Sequence, residues 1–196
     1  MTTVGLTGDL GSGKSTVLGF FGRCGAKILS ADAVVHEALK KNVVLQNKIR
    51  KAFGVGVFCR GAIDRRALAW RVFKSAKLLQ KLNLLVHPLV KKKIFEFLKK
   101  YRRNRGALAV VEVPLLFETG FDRFFDVTVV VAAGEEAIGR RLRHKTGDAF
   151  KERSRWQMPL KEKIARCDFV IDNSGSRKQT LDQVKNLKKL LITQLF

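Results

Sequence analysis

Five short apolar segments recur along the chain, separated by longer stretches in which apolar positions repeat with a helical period. Each segment has the length of a strand, and none has a polar face. Strands that are apolar on both faces are typical of a parallel sheet covered by helices. The pattern therefore predicts an α/β fold with one five-stranded parallel sheet, whose strands lie at 3–8, 26–31, 107–113, 126–132 and 168–173.

Amphipathic stretches predict helices between these strands. The interval between the second and third strands, roughly 32–106, is too long for one crossover helix. We assign 1–50 and 106–196 to the core of a single domain, and about 51–105 to an inserted helical substrate subdomain. A polar, mostly basic segment at about 143–158 is interpreted as a lid. The predicted helices span 14–24, 32–41, 42–53, 64–75, 76–86, 88–104, 135–144, about 150–155, 160–166 and 177–194.

Two features predict interruptions within the insertion. The segment GVFCRGAID at 56–64 is expected to form a turn between two helices. The pair His87-Pro88 is expected to break a helix, because proline suits a first helical turn and disfavours a helical residue before it.

The stretch GDLGSGKST follows the first predicted strand and satisfies the pattern G-x-x-x-x-G-K-[ST]. Gly8, Gly11 and Gly13 tolerate positive φ, so the backbone can curl around an anion and offer it successive N–H groups. The following helix directs its N-terminal dipole to the same place. Lys14 would reach the β- and γ-phosphates, and the Ser15 hydroxyl would coordinate Mg²⁺. The strand–loop–helix context favours a nucleotide-binding phosphate loop over a glycine-rich turn that binds nothing.

The chain lacks the base-reading NKxD element of GTPases and an Asp-x-x-Gly switch after the third strand. This favours ATP, and transfer of a phosphoryl group to a second substrate. Transfer to an alcohol needs a carboxylate near the acceptor hydroxyl. Asp32, at the end of the second strand, is either that acid or the N-cap of the next helix. Glu112, ending the third strand, either holds a water on Mg²⁺ or is a surface carboxylate.

The charge balance indicates an anionic partner. Lys and Arg total 39 against 17 Asp and Glu, a net charge of +22. ATP and a polyanionic acceptor would benefit from this field, but nucleic acid is an alternative, as in a tRNA-modifying P-loop protein. We expect no specific nucleic-acid binding. Phe is plentiful, but several Phe residues lie at helical core spacing, namely Phe53, Phe73, Phe95 and Phe97. RNA binding measured across a salt series separates the alternatives.

Three cysteines, Cys24, Cys59 and Cys167, are far apart and odd in number. They indicate free thiols in a reducing compartment. No apolar run approaches the ~18 residues of a membrane span. We expect a soluble, cytoplasmic protein that is a monomer or a weak homo-oligomer.

Several longer motifs resemble dephospho-CoA kinases in order and approximate spacing. The resemblance covers residues 3 to about 190, and the combination is much more specific than the phosphate loop alone. It implies the P-loop NTPase three-layer fold, with residues 60–105 holding the pantetheine arm and nucleotide of the acceptor. The motifs are TGDLGSGKST, ADAVVHEAL, IDRRALAWRVF, KLNLLVHPLV, VVEVPLLFE and QMPLKEKIARCDFVIDNSGS.

The resemblance implies that ATP, with Mg²⁺, phosphorylates the 3′-hydroxyl of the dephospho-CoA ribose, the last step of coenzyme A synthesis. It implies that Asp32 receives or orients the hydroxyl proton and that Thr7 lies beside the reacting phosphate. It also implies that Arg140 neutralises the transferring phosphate, a role that suits a planar guanidinium. Arg141 is an alternative, since an alignment moved by one residue fits nearly as well, and Arg153 resembles a basic lid position. The ATP-phosphate loop corresponds to Gly11, Ser12, Gly13, Lys14, Ser15 and Thr16.

Three positions depart from the family pattern. Ser30 stands where the family commonly has Asp, which would weaken a metal or substrate contact made by that acid. Glu112 stands where Asp is frequent. In the lid, His144 or Lys145 replaces an arginine.

Overall fold

The computed structural model describes residues 1–104, 106–143 and 155–193. The five predicted strands are all present and form one parallel sheet, which confirms the predicted α/β fold. In chain order they are β1 (Thr2–Gly8), β2 (Lys27–Ser30), β5 (Leu108–Glu112), β6 (Val127–Ala132) and β7 (Phe169–Asp172). Their spatial order is β2-β5-β1-β6-β7, so β1 and the loop that follows it lie at the centre of the sheet.

Eight α-helices surround the sheet within the described ranges. They are α1 (Lys14–Arg23), α2 (Ala31–Lys41), α3 (Val43–Phe53), α4 (Arg65–Phe73), α5 (Ala76–Tyr101), α6 (Glu135–Leu142), α7 (Leu160–Arg166) and α8 (Arg177–Thr193). Short 3₁₀ turns lie at Val55–Val57 and Asp122–Phe124.

The sheet has a hydrophobic core on each face, because alternate side chains of its strands point to opposite sides. On one face, Phe21 of α1 and Val184 of α8 join a cluster with Val4 of β1. On the other, Ile94 of α5 joins a cluster with Val111 of β5. All of these side chains are at most 1% exposed. Helices α4 and α5 contribute to the second cluster, so the predicted insertion shares its core with the sheet.

The predicted helix break at His87-Pro88 is wrong, because α5 continues through Pro88. Proline within a helix removes one hydrogen bond to the residue four positions earlier and crowds its carbonyl. Here Pro88 is exposed, and its preceding-turn partner Leu84 is 70% exposed. The buried stripe Val86, Val90, Ile94 and Leu98 continues on the opposite side without interruption, and its packing keeps the helix in one piece.

The segment 56–64 contains the predicted turn as a small β-hairpin. Strand β3 (Phe58–Cys59) pairs antiparallel with β4 (Ala62–Ile63). Arg60 and Gly61 between them have φ values of 48° and 81°, as a two-residue hairpin turn with two positive φ angles requires.

Most of the predicted lid lies outside the described residues. This includes Arg153, His144, Lys145 and nearly all of the predicted helix at about 150–155. Among the described helices, none combines the length and apolar character needed to cross a bilayer. Cys24, Cys59 and Cys167 are free thiols, as predicted.

Candidate active site

The carboxyl ends of the parallel strands meet at one edge of the sheet, where the site is built. Register pairs Glu112 of β5 with Leu6 of β1 and with Ser30 of β2, so the ends of these three strands are adjacent. Ligands of open parallel sheets bind at this edge. The phosphate loop, the beginning of α2 and the segment after β5 therefore converge.

The phosphate loop has the backbone conformation expected from its glycines. Gly8, Gly11 and Gly13 have φ values of 145°, 86° and 89°. A Cβ at Gly8 would lie 2.3 Å from the carbonyl oxygen of Val131, and a Cβ at Gly13 would lie 2.2 Å from Nδ2 of Asn173. Gly13 is also the N-cap of α1, and it makes no side-chain cap hydrogen bond. The first turn of α1 thus presents backbone N–H groups to an anion.

The side chain of Lys14 is hydrogen-bonded to the backbone of the phosphate loop. Its Nζ donates to the backbone carbonyls of Gly8 and Asp9 at 2.9 and 2.8 Å, and the residue is 8% exposed. Ser15, in the first turn of α1, is exposed. Ser12 is fully buried, and its Oγ finds no hydrogen-bond partner among the described residues.

Two cavities adjoin at this edge. The first has a volume of about 440 Å³ and is formed by the phosphate loop together with Lys14, Asp32, Glu112 and Arg141. The second, of about 280 Å³, lies among α2, α4, α5 and the segment after β5. Asp32 and Pro114 line both cavities. The acid predicted from the end of β2 therefore stands where the two cavities meet.

The second cavity is mostly apolar, with a few polar side chains around it. Apolar walls with a small number of placed polar groups are typical of small-molecule sites. Burial within this wall lowers the pKa of His87 below its ordinary value, because the desolvated ring disfavours the charged form. The polar residues of the lining, besides Asp32, are Arg65, Asn83, His87 and Thr119.

The N-cap role considered for Asp32 belongs to Ser30 instead. Helix α2 begins at Ala31, and Ser30 Oγ accepts a hydrogen bond from the backbone N–H of Ala33 at 3.4 Å. Asp32 lies in the first turn with its side chain exposed toward the cavities. The departure from the family pattern at Ser30 thus has a local structural role as a helix cap.

Glu112 is not a surface carboxylate, since it is 7% exposed and lines the phosphate cavity. Thr7 is fully buried, and its Oγ1 donates to the backbone carbonyl of Pro114 at 3.2 Å. The Thr7 hydroxyl therefore joins the end of β1 to the segment after β5, and Thr7 is not among the residues that line the phosphate cavity.

Of the two candidate arginines, the structure places Arg141 against the loop. Its guanidinium donates to the carbonyls of Gly11, Ser12 and Asn173, the first two at 3.3 and 3.1 Å. Arg140 pairs with Glu136 one turn earlier on the exposed side of α6, with both side chains more than half exposed. One position along a helix rotates a side chain by about 100°, which accounts for the difference.

Sequence reasoning missed residues that support the loop from behind. Asn173, which follows β7, donates through Nδ2 to the Ser12 carbonyl at 2.7 Å and accepts from Thr180 Oγ1 at 2.9 Å. Gln157 Oε1 accepts from the backbone N–H of Leu10 at 3.2 Å. Both lie in motifs that carried the family resemblance, but the spacing alone gives no sign of these contacts.

A phosphate loop at the centre of a parallel sheet, with an acid at the entrance to an adjoining apolar cavity, defines a P-loop kinase. Shikimate kinase from Acinetobacter baumannii shares the fold with a TM-score of 0.50 at 12% identity, covering 99% of this chain and 94% of its own. Residues 2–179 match the family model described as Dephospho-CoA kinase, and the chain belongs to that family.

Individual relatives agree with this assignment over nearly their whole length. Dephospho-CoA kinase from Syntrophotalea carbinolica is 38% identical, over 98% of this chain and 93% of its own. Dephospho-CoA kinase from Aquifex aeolicus is 37% identical, over 95% and 96%. Among solved structures, dephospho-CoA kinase from Campylobacter jejuni has a TM-score of 0.67 at 25% identity, covering 95% of this chain and 97% of that one. A Thermus thermophilus protein has a TM-score of 0.79 at 34% identity, covering 97% and 96%.

Proposed function

We propose that this chain transfers the γ-phosphoryl group of ATP to the 3′-hydroxyl of the dephospho-CoA ribose, giving coenzyme A and ADP. The observation that carries the proposal is the position of Asp32 on the wall common to the phosphate cavity and the apolar cavity. A donor phosphate in the first and an acceptor alcohol entering from the second would meet at this carboxylate. Membership of the dephospho-CoA kinase family supplies the acceptor's identity.

The donor phosphates bind along residues 11–16 in this proposal. Backbone N–H groups of the curled loop and the first turn of α1 surround the phosphate oxygens. Lys14, whose ammonium donates to the Gly8 and Asp9 carbonyls, also directs an N–H donor toward the phosphates. Arg141 supplies the second cation and takes the role that the resemblance had implied for Arg140. A planar guanidinium can donate to two phosphate oxygens at once.

The acceptor occupies the apolar cavity with its ribose toward Asp32. The carboxylate accepts the proton of the 3′-hydroxyl as the oxygen attacks the γ-phosphorus, while the bond from that phosphorus to the leaving ADP oxygen breaks in line. The apolar walls contributed by α4 and α5 accommodate the pantetheine arm. Thr7 acts indirectly, by holding the end of β1 against Pro114.

Mg²⁺ fits the oxygen donors at the phosphate cavity. Ser15 and Glu112 both line it. Among the described residues no group of three or more His, Cys, Asp or Glu side chains forms a metal site. Mg²⁺ in kinases is commonly held by one or two protein oxygens together with substrate phosphates and waters, so two donors suffice. We assign Ser15 to direct contact and Glu112 to a bound water, and the ion would neutralise charge on the transferring phosphate.

The proposal includes a division of labour along the chain. Residues 1–50 and 106–196 form the nucleotide-binding core, about 51–105 the acceptor-binding insertion, and about 143–158 a lid, of which 144–154 lie outside the described residues. The protein works in the cytoplasm as a monomer or weak homo-oligomer. Its +22 charge attracts polyanionic substrates, and specific nucleic-acid binding is not part of the proposal.

The test is to mix the purified protein with Mg·ATP and dephospho-CoA and to detect coenzyme A by mass. The Asp32→Asn variant should lower kcat by about 10²–10⁴-fold, because a general base contributes on that order, while ADP affinity persists. Glu37→Gln is the matched control, since Glu37 lies on the same helix, pairs with Lys41 and lines neither cavity. Absence of product from the unmodified protein would refute the function, and undiminished turnover of Asp32→Asn would remove Asp32 from the mechanism.

A further inference from the structure

A buried lysine lies directly behind the phosphate loop. Lys163 is the buried residue of helix α7, and its side chain is 0% exposed. Removing an ammonium group from water is costly and is repaid only by close charged partners. Lys163 Nζ lies 2.9 Å from Asp9 Oδ1 and 3.5 Å from Glu118 Oε1. A buried ion pair is a weak source of stability, so the informative feature of Lys163 is which segments its ammonium joins.

Asp9 is the first partner, and it lies within the phosphate loop. Its backbone carbonyl accepts hydrogen bonds from Lys14 Nζ at 2.8 Å and from the N–H of Ser12 at 3.1 Å. Its side chain accepts from Lys163 Nζ at 2.9 Å. A single residue thus connects the buried ammonium to the lysine that we assign to the phosphates. Displacement of Asp9 would move the carbonyl against which Lys14 is held.

Glu118 is the second partner, and it belongs to the segment after β5. Its Oε1 also accepts from the backbone N–H of Met158 at 2.7 Å. Its Oε2 is buried and has no hydrogen-bond partner among the described residues. The side chain is 15% exposed, against 29% for Asp9. Glu118 is therefore the inner, fixed anchor, and Lys163 extends from it to the loop.

We propose that Lys163 is a positioning residue for nucleotide binding: its ammonium fixes the Asp9 turn of the phosphate loop to Glu118 and thereby sets the position of Lys14. Lys163 does not touch the nucleotide; it acts through Asp9. The inference rests on the proposed function for its catalytic consequence, and on the phosphate loop alone for its effect on nucleotide affinity.

The decisive variant is Asp9→Ala, because it cuts the connection to the loop and leaves Lys163 paired with Glu118. The affinity for ADP, measured by calorimetry without acceptor, should fall by about tenfold or more, since the free energy of one charge-assisted hydrogen bond corresponds to a change of that size in an equilibrium constant. The KM for ATP should rise in parallel, and the KM for dephospho-CoA should not change. Asp9→Asn keeps an oxygen acceptor for Lys163 and should recover most of the ADP affinity.

Asp122→Ala is the matched control. Asp122 pairs at 3.6 Å with Arg166, which lies on α7 as Lys163 does. The side chain of Asp122 is 29% exposed, as is that of Asp9. In the hydrogen bonds and ion pairs observed, Asp122 does not contact the phosphate loop. This variant should bind ADP as the unmodified protein does. Wild-type-like ADP affinity in Asp9→Ala, or an equal loss in Asp122→Ala, would overturn the proposal.

Lys163→Met gives a second measurement. It leaves two carboxylates without their cation behind an anion site, so ADP affinity should fall at least as far as in Asp9→Ala. Adding Asp9→Asn and Glu118→Gln to this variant removes the uncompensated charge and should recover thermal stability but not ADP affinity. Recovery of both would mean that Lys163 only neutralises charge. If the unmodified protein binds ADP but makes no coenzyme A, the proposed function fails while the ADP measurements still decide this inference.

Discussion

Replacing Arg141 and Arg140 one at a time tests the placement of the phosphate-binding cation. In the resting structure the Arg141 guanidinium donates to three backbone carbonyls of the loop and of Asn173. The residue is exposed, so these hydrogen bonds contribute about 1 kcal/mol to folding. For a chain of this size, Arg141→Ala should then lower Tm by about 2–4 °C.

The effect of Arg141→Ala on catalysis should be much larger than its effect on stability. Loss of one preorganised group that stabilises transition-state charge costs about 2.7–4 kcal/mol, or about 10²–10³-fold in kcat. Arg140→Ala loses an exposed pair with Glu136, whose side chains are 55% and 86% exposed, worth about 0.3–0.5 kcal/mol. Because the observed partner of Arg140 is Glu136 and not the phosphate loop, kcat/KM of Arg140→Ala should stay within about twofold of the unmodified value.

A coupled assay of ADP production, with dephospho-CoA varied at saturating ATP, measures both variants, and thermal denaturation gives Tm. Arg141→Lys adds a further comparison, because an ammonium keeps the charge but lacks the planar pair of donors. It should recover part of the lost rate. Equal losses in Arg140→Ala and Arg141→Ala, or a larger loss in Arg140→Ala, would refute the placement.

Two further variants test the loop and the acceptor cavity. Gly13→Ala should abolish ADP binding and lower the free energy of unfolding by at least about 1–2 kcal/mol, because φ is +89° and the new Cβ would lie 2.2 Å from Asn173 Nδ2. Gly19→Ala, on α1 with open space around it, is the control and should leave stability unchanged or raise it, as measured by denaturation. Equal effects of the two substitutions would contradict this prediction. Burial lowers the pKa of His87 in the folded protein, so the folded state binds a proton at this ring less readily than the unfolded state does. The stability that depends on a neutral His87 is therefore fully present above the unfolded pKa of about 6.5, and it is lost as pH falls through the lower folded pKa. His87→Gln should therefore reduce the decrease of the urea unfolding midpoint between about pH 7.5 and pH 5. The same decrease in the variant as in the unmodified protein would show that His87 does not cause it.

The sheet was predictable from sequence because its strands are buried on both faces and are therefore continuous apolar runs. The glycine positions of the phosphate loop were predictable for a similar reason, since positive φ and close backbone approach leave little choice of residue. The continuous α5 was not, because a local proline rule opposed a buried stripe whose energy comes from tertiary contacts. The burial of Val86, Val90 and Ile94 stabilises the continuous helix by more than the hydrogen bond missing at Pro88 destabilises it.

The candidate site was predictable in its parts and less so in its assembly. Asp32 and Glu112 could be placed at one edge of the sheet from sequence, because Glu112 ends β5 and Asp32 comes shortly after β2. The choice between Arg140 and Arg141 depends on helix rotation, which an uncertainty of one residue in alignment does not resolve. The contact of Lys163 with Asp9 joins positions 154 residues apart. Nothing local marks it, except that a lysine occupies the inward face of a short helix.

The wall formed by Asp32 and Pro114 between two ligand cavities has a stereochemical consequence. Under the proposed assignments, nucleotide and acceptor are bound simultaneously, and the phosphorus passes directly from one oxygen to another. A single displacement of this kind inverts the configuration at phosphorus, whereas a relay through a phosphorylated side chain would retain it. An ATP analogue made chiral at its terminal phosphorus by sulfur and oxygen isotopes would record that handedness in the product.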